Sequence, residues 1–410
     1  MSERIPILET LDNGAWVCLE PFEGVRSFAV NLRFYGGVAQ EPPDRLGLAN
    51  VMQTALMKGT KSRDAAGVFD AFDALGAERS VAVEAEALTF RANVLPEHAE
   101  QVLLLYRELF ETASFPEEEV ELAKRLALEH IAALEDRPRS KAFQTALKSA
   151  LGDPLGRPAP GSLQSVPLIS REDAIRFRDD LVRPSGLVIT AAGGIDPSSF
   201  FQAVDKAFGD WENTGNPPGE VPVTLNPLTV HEPKESEQTH IVVVYPGPSR
   251  GVGDFYASMV AQAVLSGSGS SRLFTEVREK RGLAYTVAAV YRPYRGGAVT
   301  LLYAGSRAER AEETLAVCLA EADRVAHDVT GEEVDRVKSM LTGRLRTVGE
   351  LTAGRASALL DDLFLEGRPR SLQEIEARVA SVTLEEVRRA AAHYPPQPRA
   401  VTVLGPRELR

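Results

Sequence analysis

Residues 87–109, ALTFRANVLPEHAEQVLLLYREL, return 211 positions later as residues 298–322, AVTLLYAGSRAERAEETLAVCLAEA. Each copy opens as a strand-like run and passes through a short polar turn into a run with helical apolar spacing. The likeness continues toward the C-terminus of each copy. EEVELAKRLALEHI from Glu118 parallels EEVDRVKSMLTGRL from Glu332, with Lys124 and Lys338 in register, and SREDAIRF from Ser170 parallels TLEEVRRA from Thr383. The offset stays between 211 and 214 through these blocks. Chance similarity of amphipathic helices is a weak rival to a duplicated structural unit.

Around these blocks, Asp12-Asn13-Gly14 marks a turn before two strand-like runs, 15–20 and 28–35. A helical run at 64–75 leads through Gly76 to alternating stretches at 78–84 and 87–95. Helices are expected at about 97–112 and 116–134, the second with Pro116 in its first turn and three glutamates behind it, where they suit the positive end of a helix. A further apolar strand is expected at 187–192. Adjacent strands followed by helix pairs predict an α+β fold, with helices packed on an antiparallel or mixed sheet. The expected organisation is two tandem homologous domains, 1–212 and 228–410, joined by the Pro/Asn/Gly-rich linker 213–227.

With 410 residues the chain is too long for one ordinary core. Hydrophobic residues at 44% and charged residues at 25% are the balance of a globular protein. The net charge of -12 argues against nucleic acid or an anionic membrane as the main partner. Cys18 and Cys318 lie far apart and lack metal-type spacing, which suits buried free thiols in a reducing compartment. The first 20 residues show neither a secretory nor a transit pattern, and no stretch approaches the ~20 apolar residues of a membrane span. A cytoplasmic location is therefore expected.

The stretch Gly47 to Thr60, GLANVMQTALMKGT, carries Leu48, Val51, Met52, Ala55 and Leu56 at the spacing of a buried helical stripe. Asn50, Gln53 and Thr54 form a second stripe at i, i+3 and i+4. In an inverted zinc motif, H-x-x-E-H, those places hold two metal-binding histidines and a glutamate general base. An amide or a hydroxyl is a poor zinc ligand beside imidazole, and glutamine cannot accept and return a proton at neutral pH. Taken alone, the stretch also reads as a core helix with a polar edge.

Four stretches in order resemble the M16 zinc metallopeptidases, the pitrilysin and mitochondrial processing peptidase family, in their short two-domain bacterial form. They are LDNGAWVCLE near the start, the GLANVMQTALMKGT helix, DPLGRPAPGSLQSVPLISREDAIRF in the middle, and GSGSSRLFTEVREKRGLAYTV from Gly267. The resemblance implies a clamshell half whose zinc helix is followed by a glutamate ligand on a later helix. Glu129 and His130 occupy that region here. A catalytic zinc takes about three protein ligands plus water, so neither of these can restore a site in which Asn50, Gln53 and Thr54 stand where the zinc motif has its histidines and glutamate. His130 also reads as an ordinary helix histidine. No metal is expected on this chain, and zinc is expected in a partner.

The other motif is intact. Residues 271–280 predict a short helix stopped by Gly282, followed by a strand at 283–291. Arg278 and Tyr285, seven residues apart, match the arginine and tyrosine that the family presents to substrate from a domain opposite the zinc. Spacing alone also allows a surface arginine clustered with Arg281 and an ordinary strand tyrosine. The Gly-rich loop 266–271 lacks the residues of a phosphate-binding fingerprint, and His98, His231, His240, His327 and His393 are scattered without ligand spacing.

Three functions follow as expectations. The first is a non-catalytic subunit of a heterodimeric M16-type zinc endopeptidase, contributing Arg278 and Tyr285 in trans to a catalytic M16 partner. Its peptide substrate would be bound in extended form along a sheet edge. The second is a non-proteolytic M16-like scaffold or interaction protein. The third, a self-sufficient hydrolase with relocated ligands, needs a histidine or carboxylate cluster that the sequence does not show.

Overall fold

The computed structural model describes residues 4–409. Its strands are β1 (Ile7–Thr10), β2 (Trp16–Pro21), β3 (Phe28–Tyr35), β4 (Glu78–Val83), β5 (Ala87–Val94), β6 (Leu187–Gly193), β7 (Thr229–Pro233), β8 (Gln238–Pro246), β9 (Ala284–Tyr294), β10 (Gly297–Arg307) and β11 (Ala400–Gly405). The helices are α1 (Leu48–Leu56), α2 (Ala65–Asp73), α3 (Ala99–Thr112), α4 (Glu117–Leu134), α5 (Pro138–Leu151), α6 (Arg171–Leu181), α7 (Pro197–Phe208), α8 (Phe255–Ser266), α9 (Ala311–Asp328), α10 (Gly331–Gly349), α11 (Thr352–Glu366), α12 (Leu372–Ser381) and α13 (Leu384–His393).

Two sheets result, ordered β1-β2-β6-β3-β5-β4 and β7-β11-β8-β10-β9. Without β1 the two orders correspond strand for strand, down to the single parallel pair in each, β2 with β6 and β7 with β11. The expected duplicated α+β unit is therefore present in the topology as well as in the sequence.

The chain divides into two compact units, each drawing on both sequence halves. Unit 1 is the chain up to Ala132, Arg157–Gly219 and Arg346–Gln373; unit 2 is Ala133–Gly156, Glu220–Leu345 and Glu374 onward. In unit 1, strand alternation explains the layering. Phe28, Val30, Leu32 and Phe34 of β3 join a core with α1, α3, α6 and α7, while Asn31, Arg33 and Tyr35 meet α11. The α11 face is partly ionic: the buried Arg355 guanidinium donates to Glu20 at 3.0 and 3.1 Å. In unit 2, α5 packs on β8 and β11, and Phe143 stacks on Tyr303 at 5.3 Å. Among the described residues no helix is long and apolar enough to cross a membrane.

Candidate functional site

The polar stripe of the sequence lies in unit 1. Leu48, Ala49, Val51, Met52, Ala55 and Leu56 bury one side of α1, and Asn50, Gln53 and Thr54 are left half-buried. Thr54 Oγ1 donates back to the Asn50 carbonyl at 2.8 Å, a local bond typical of a helix hydroxyl. Glu129 and His130 lie on the exposed side of α4, whose core contacts come from Val120, Ala123 and Ala127. Among the described residues no group of three or more His, Cys, Asp or Glu side chains is placed to hold a metal ion. The donor set on α1, an amide pair and a hydroxyl already bonded to its own helix, does not fit zinc.

The start of α1 is heavily built. Buried Glu41 caps it, accepting from the Gly47 N–H at 2.9 Å and the Ala49 N–H at 2.8 Å. Burial pushes this carboxyl up to about 7, against the pull of those two N–H groups and of Arg157. Arg157 in turn donates to the Ala39 carbonyl at 3.1 Å, and Ser165 Oγ to the Leu46 carbonyl at 2.7 Å. Two glycines allow the close approach: a Cβ on Gly161 would stand 2.3 Å from the Leu46 carbonyl oxygen, and Gly47 has φ of +95°. Sequence reasoning did not single out Glu41 or Arg157. The signal was a carboxylate six residues before a helix-opening glycine.

The second motif lies in unit 2. The chain winds as a wide turn over Phe274–Glu279, with the Lys280 N–H bonded five residues back to Thr275 at 2.9 Å. Such π-type turns recur at functional sites. Within it the basic residues are sorted. Lys280 reaches Glu276 at 2.6 Å and Arg281 reaches it at 2.5 Å, and those two bonds hold the Glu276 carboxyl below its ordinary range. Arg278 takes another direction. Its guanidinium lies 4.8 Å from the centre of the Phe274 ring and 3.9 Å from Glu279, with its side chain 49% exposed. Arg278 and Arg281 thus take different carboxylate partners.

Gly282, at φ of +57°, ends the turn and leads into β9. Along β9 and β10 the register holds until Gly305 faces Thr286, then shifts so that Ser306 faces Ala284. Tyr285 is the extra residue of this bulge and is 68% exposed.

The edge strands β4 and β9 differ. On β9 the Ala289 N–H donates to Ser266 Oγ at 2.8 Å, the Ala289 carbonyl accepts from Gln262 at 3.4 Å, and Pro293 has no N–H. That edge is closed in its middle. On β4 the Glu84 N–H donates to the Ala87 carbonyl, and this parity turns the backbone groups of Arg79, Val81 and Val83 away from β5. Among the described residues these groups have no hydrogen-bond partner.

Family descriptions match both halves of the chain: "Insulinase (Peptidase family M16)" over residues 17–159 and "Peptidase M16 inactive domain" over residues 168–341. An uncharacterized zinc protease of Bacillus subtilis is 29% identical over 97% of this chain and 97% of its own. One of Mycobacterium bovis is 30% identical over 98% of this chain and 93% of its own. Among solved structures, a peptidase M16 inactive domain from Pseudomonas fluorescens has a TM-score of 0.87 at 22% identity, with 99% of each chain covered. A protease from Helicobacter pylori has a TM-score of 0.86 at 18% identity, covering 98% of this chain and 100% of that one. With family models matching both halves and a 30% identical relative covered over 93% of its length, the chain belongs to peptidase family M16.

Proposed function

We propose that the chain is the non-catalytic subunit of a heterodimeric M16-type zinc endopeptidase in the cytoplasm. A catalytic M16 partner supplies metal and general base; this chain supplies Arg278 and Tyr285 to the bound peptide. The observation that carries this reading is a contrast within one chain. Where active members have imidazole and carboxylate, α1 has Asn50, Gln53 and Thr54, whereas Arg278 and Tyr285 are exposed on a wide turn and a bulge. The guanidinium offers fixed donors to a peptide carbonyl, and the phenol O–H can donate to the oxyanion of a tetrahedral intermediate. The open edge of β4 suits an extended peptide, which would pair with the outward groups of Arg79, Val81 and Val83. The curated relatives named as zinc proteases support peptide hydrolysis as the chemistry of the assembly.

The test is hydrolysis of an internally quenched peptide, with zinc content, for this chain alone and after co-expression with a neighbouring M16-like chain carrying H-x-x-E-H. Activity and zinc in the mixture only, lost on Arg278→Ala or Tyr285→Phe, is the expected result. Hydrolysis by the assembled pair that ignores both substitutions would sink the reading, and activity of this chain alone would show that α1 has been misread. No activity in either preparation favours the scaffold.

A further inference from the structure

We propose that Ser306 and Thr314 are positioning residues for Tyr285, acting through the bulge on which that ring stands. The proposal rests on the role given to Tyr285 above. At the point where the β9–β10 register shifts, Ser306 Oγ and Thr314 Oγ1 lie 2.8 Å apart, both buried. Thr314 Oγ1 lies 2.7 Å from the Arg310 carbonyl and Ser306 Oγ 3.1 Å from the Arg307 carbonyl, so either hydroxyl can be the donor of the pair. Thr314 also stands 3.5 Å from the Leu283 carbonyl, two residues ahead of Tyr285. The pair thus ties the end of β10 to α9 beside the extra residue of β9.

Unit 1 supplies the control. A single turn precedes α3 (Pro96–His98) and another precedes α9 (Ala308–Arg310). Counted from these, Val94 and Val102 stand where Ser306 and Thr314 do. Both valines are buried, and β4 pairs with β5 from Glu78 to Val83 without a shift. Hydroxyls occur where the bulge occurs, and valines, the second of them of the same shape as Thr314, where it does not. A buried hydroxyl is costly without a partner, and each of these two bonds the other as well as a nearby carbonyl, which joins the end of β10 to α9. With the end of β10 fixed, the extra residue is expelled at Tyr285 instead of slipping along the strand.

Thr314→Val installs the residue of the other unit, and Thr314→Ser restores the hydroxyl. Amide exchange over residues 283–287 is measured on the full chain, and peptide hydrolysis on the assembled pair. Thr314→Val is expected to speed exchange there about fivefold and to lower kcat about fivefold with KM within about twofold. Thr314→Ser should return both to within about twofold of the parent. If Thr314→Val does not fold, Ser306→Ala is read in the same way. A fall in Tm with exchange over 283–287 unchanged would overturn the proposal by leaving only a structural role. Should the assembled pair prove indifferent to Tyr285→Phe, the role of Tyr285 fails, while exchange still decides whether the hydroxyl pair holds the bulge.

Discussion

Gly76 in unit 1 and Gly282 in unit 2 both have left-handed φ, +60° and +57°, and each stands two residues before an edge strand. Counted from them, Phe72 stands where Arg278 does, and Arg79 where Tyr285 does. Phe72 is fully buried, with its ring 5.2 Å from Tyr106, and the Arg79 guanidinium lies over Phe69 and Phe72 at 4.5 and 4.9 Å. One helix–glycine–strand corner therefore places an aromatic in the core with an arginine stacked on it. The other turns a guanidinium and a phenol to solvent. The corner itself demands neither, so the exposed pair of unit 2 calls for an explanation outside folding, and presentation to a peptide is one.

The sharpest way to break this comparison is to delete both side chains at the first position. Phe72→Ala is expected to cost about 3–5 kcal/mol, as deletion of a buried aromatic does. Arg278→Ala should stay within about 0.5 kcal/mol of the parent, as exposed substitutions do. Urea unfolding of the two variants measures both, and equal losses would mean that Arg278 is a packing residue after all. Next in size is the effect on hydrolysis by the assembled pair. Removal of an oxyanion donor by Tyr285→Phe is expected to lower kcat by about 10²–10³-fold, without a shift in Tm beyond about 2 °C. Loss of Arg278 should appear in KM as well, if it binds the ground-state peptide.

Much of the architecture was legible because a duplication writes the same periodicities twice. The repeats at 87 and 298 fixed which strand and helix correspond, and the shared strand order follows from them. That α5 covers the sheet of unit 2 and α11 the sheet of unit 1 was not legible, since an amphipathic helix has the same spacing whichever sheet it meets. Arg355 illustrates the difficulty: in sequence it is one more helical arginine, and in the fold it is buried against Glu20, 335 residues away. The seven-residue spacing of Arg278 and Tyr285 was readable. Their exposure was not, because it depends on Phe274, on Glu276 and on a hydroxyl pair more than twenty residues downstream.

Two buried groups, Glu41 in unit 1 and His240 in unit 2, have pKa values shifted in opposite directions, and their effects on stability oppose each other as pH changes. Glu41 in unit 1 has its carboxyl raised from 4.5 to about 7. Between those values the folded chain keeps a proton that the unfolded chain has lost, so stability falls as pH rises across the window. The fall is about 3 kcal/mol in all, and it levels above pH 7. Glu41→Gln keeps one acceptor oxygen for the two helix N–H groups and does not titrate. It should remove that slope in urea unfolding between pH 4.5 and 7.5, and an unchanged slope would place its origin elsewhere.

The smallest expected effect is in unit 2. His240 on β8 is buried, with Nδ1 2.9 Å from the Tyr303 hydroxyl and Nε2 without a hydrogen-bond partner among the described residues. Burial lowers its pKa, and the nearby charges of Arg139 and Lys234 lower it further. The neutral ring is thus the folded form, and its contribution is intact above the ordinary histidine value near 6.5. As pH falls below that value the unfolded chain takes up a proton first, and this contribution is lost on the acid side, where Glu41 acts in the opposite direction. His240→Gln should remove its part of the stability loss below pH 6.5, read by urea unfolding. Paired with Glu41→Gln, it tests whether the two groups titrate independently: their windows overlap with opposite slopes, so the changes made by the single variants should add in the double variant, and a non-additive result would show the two to be coupled.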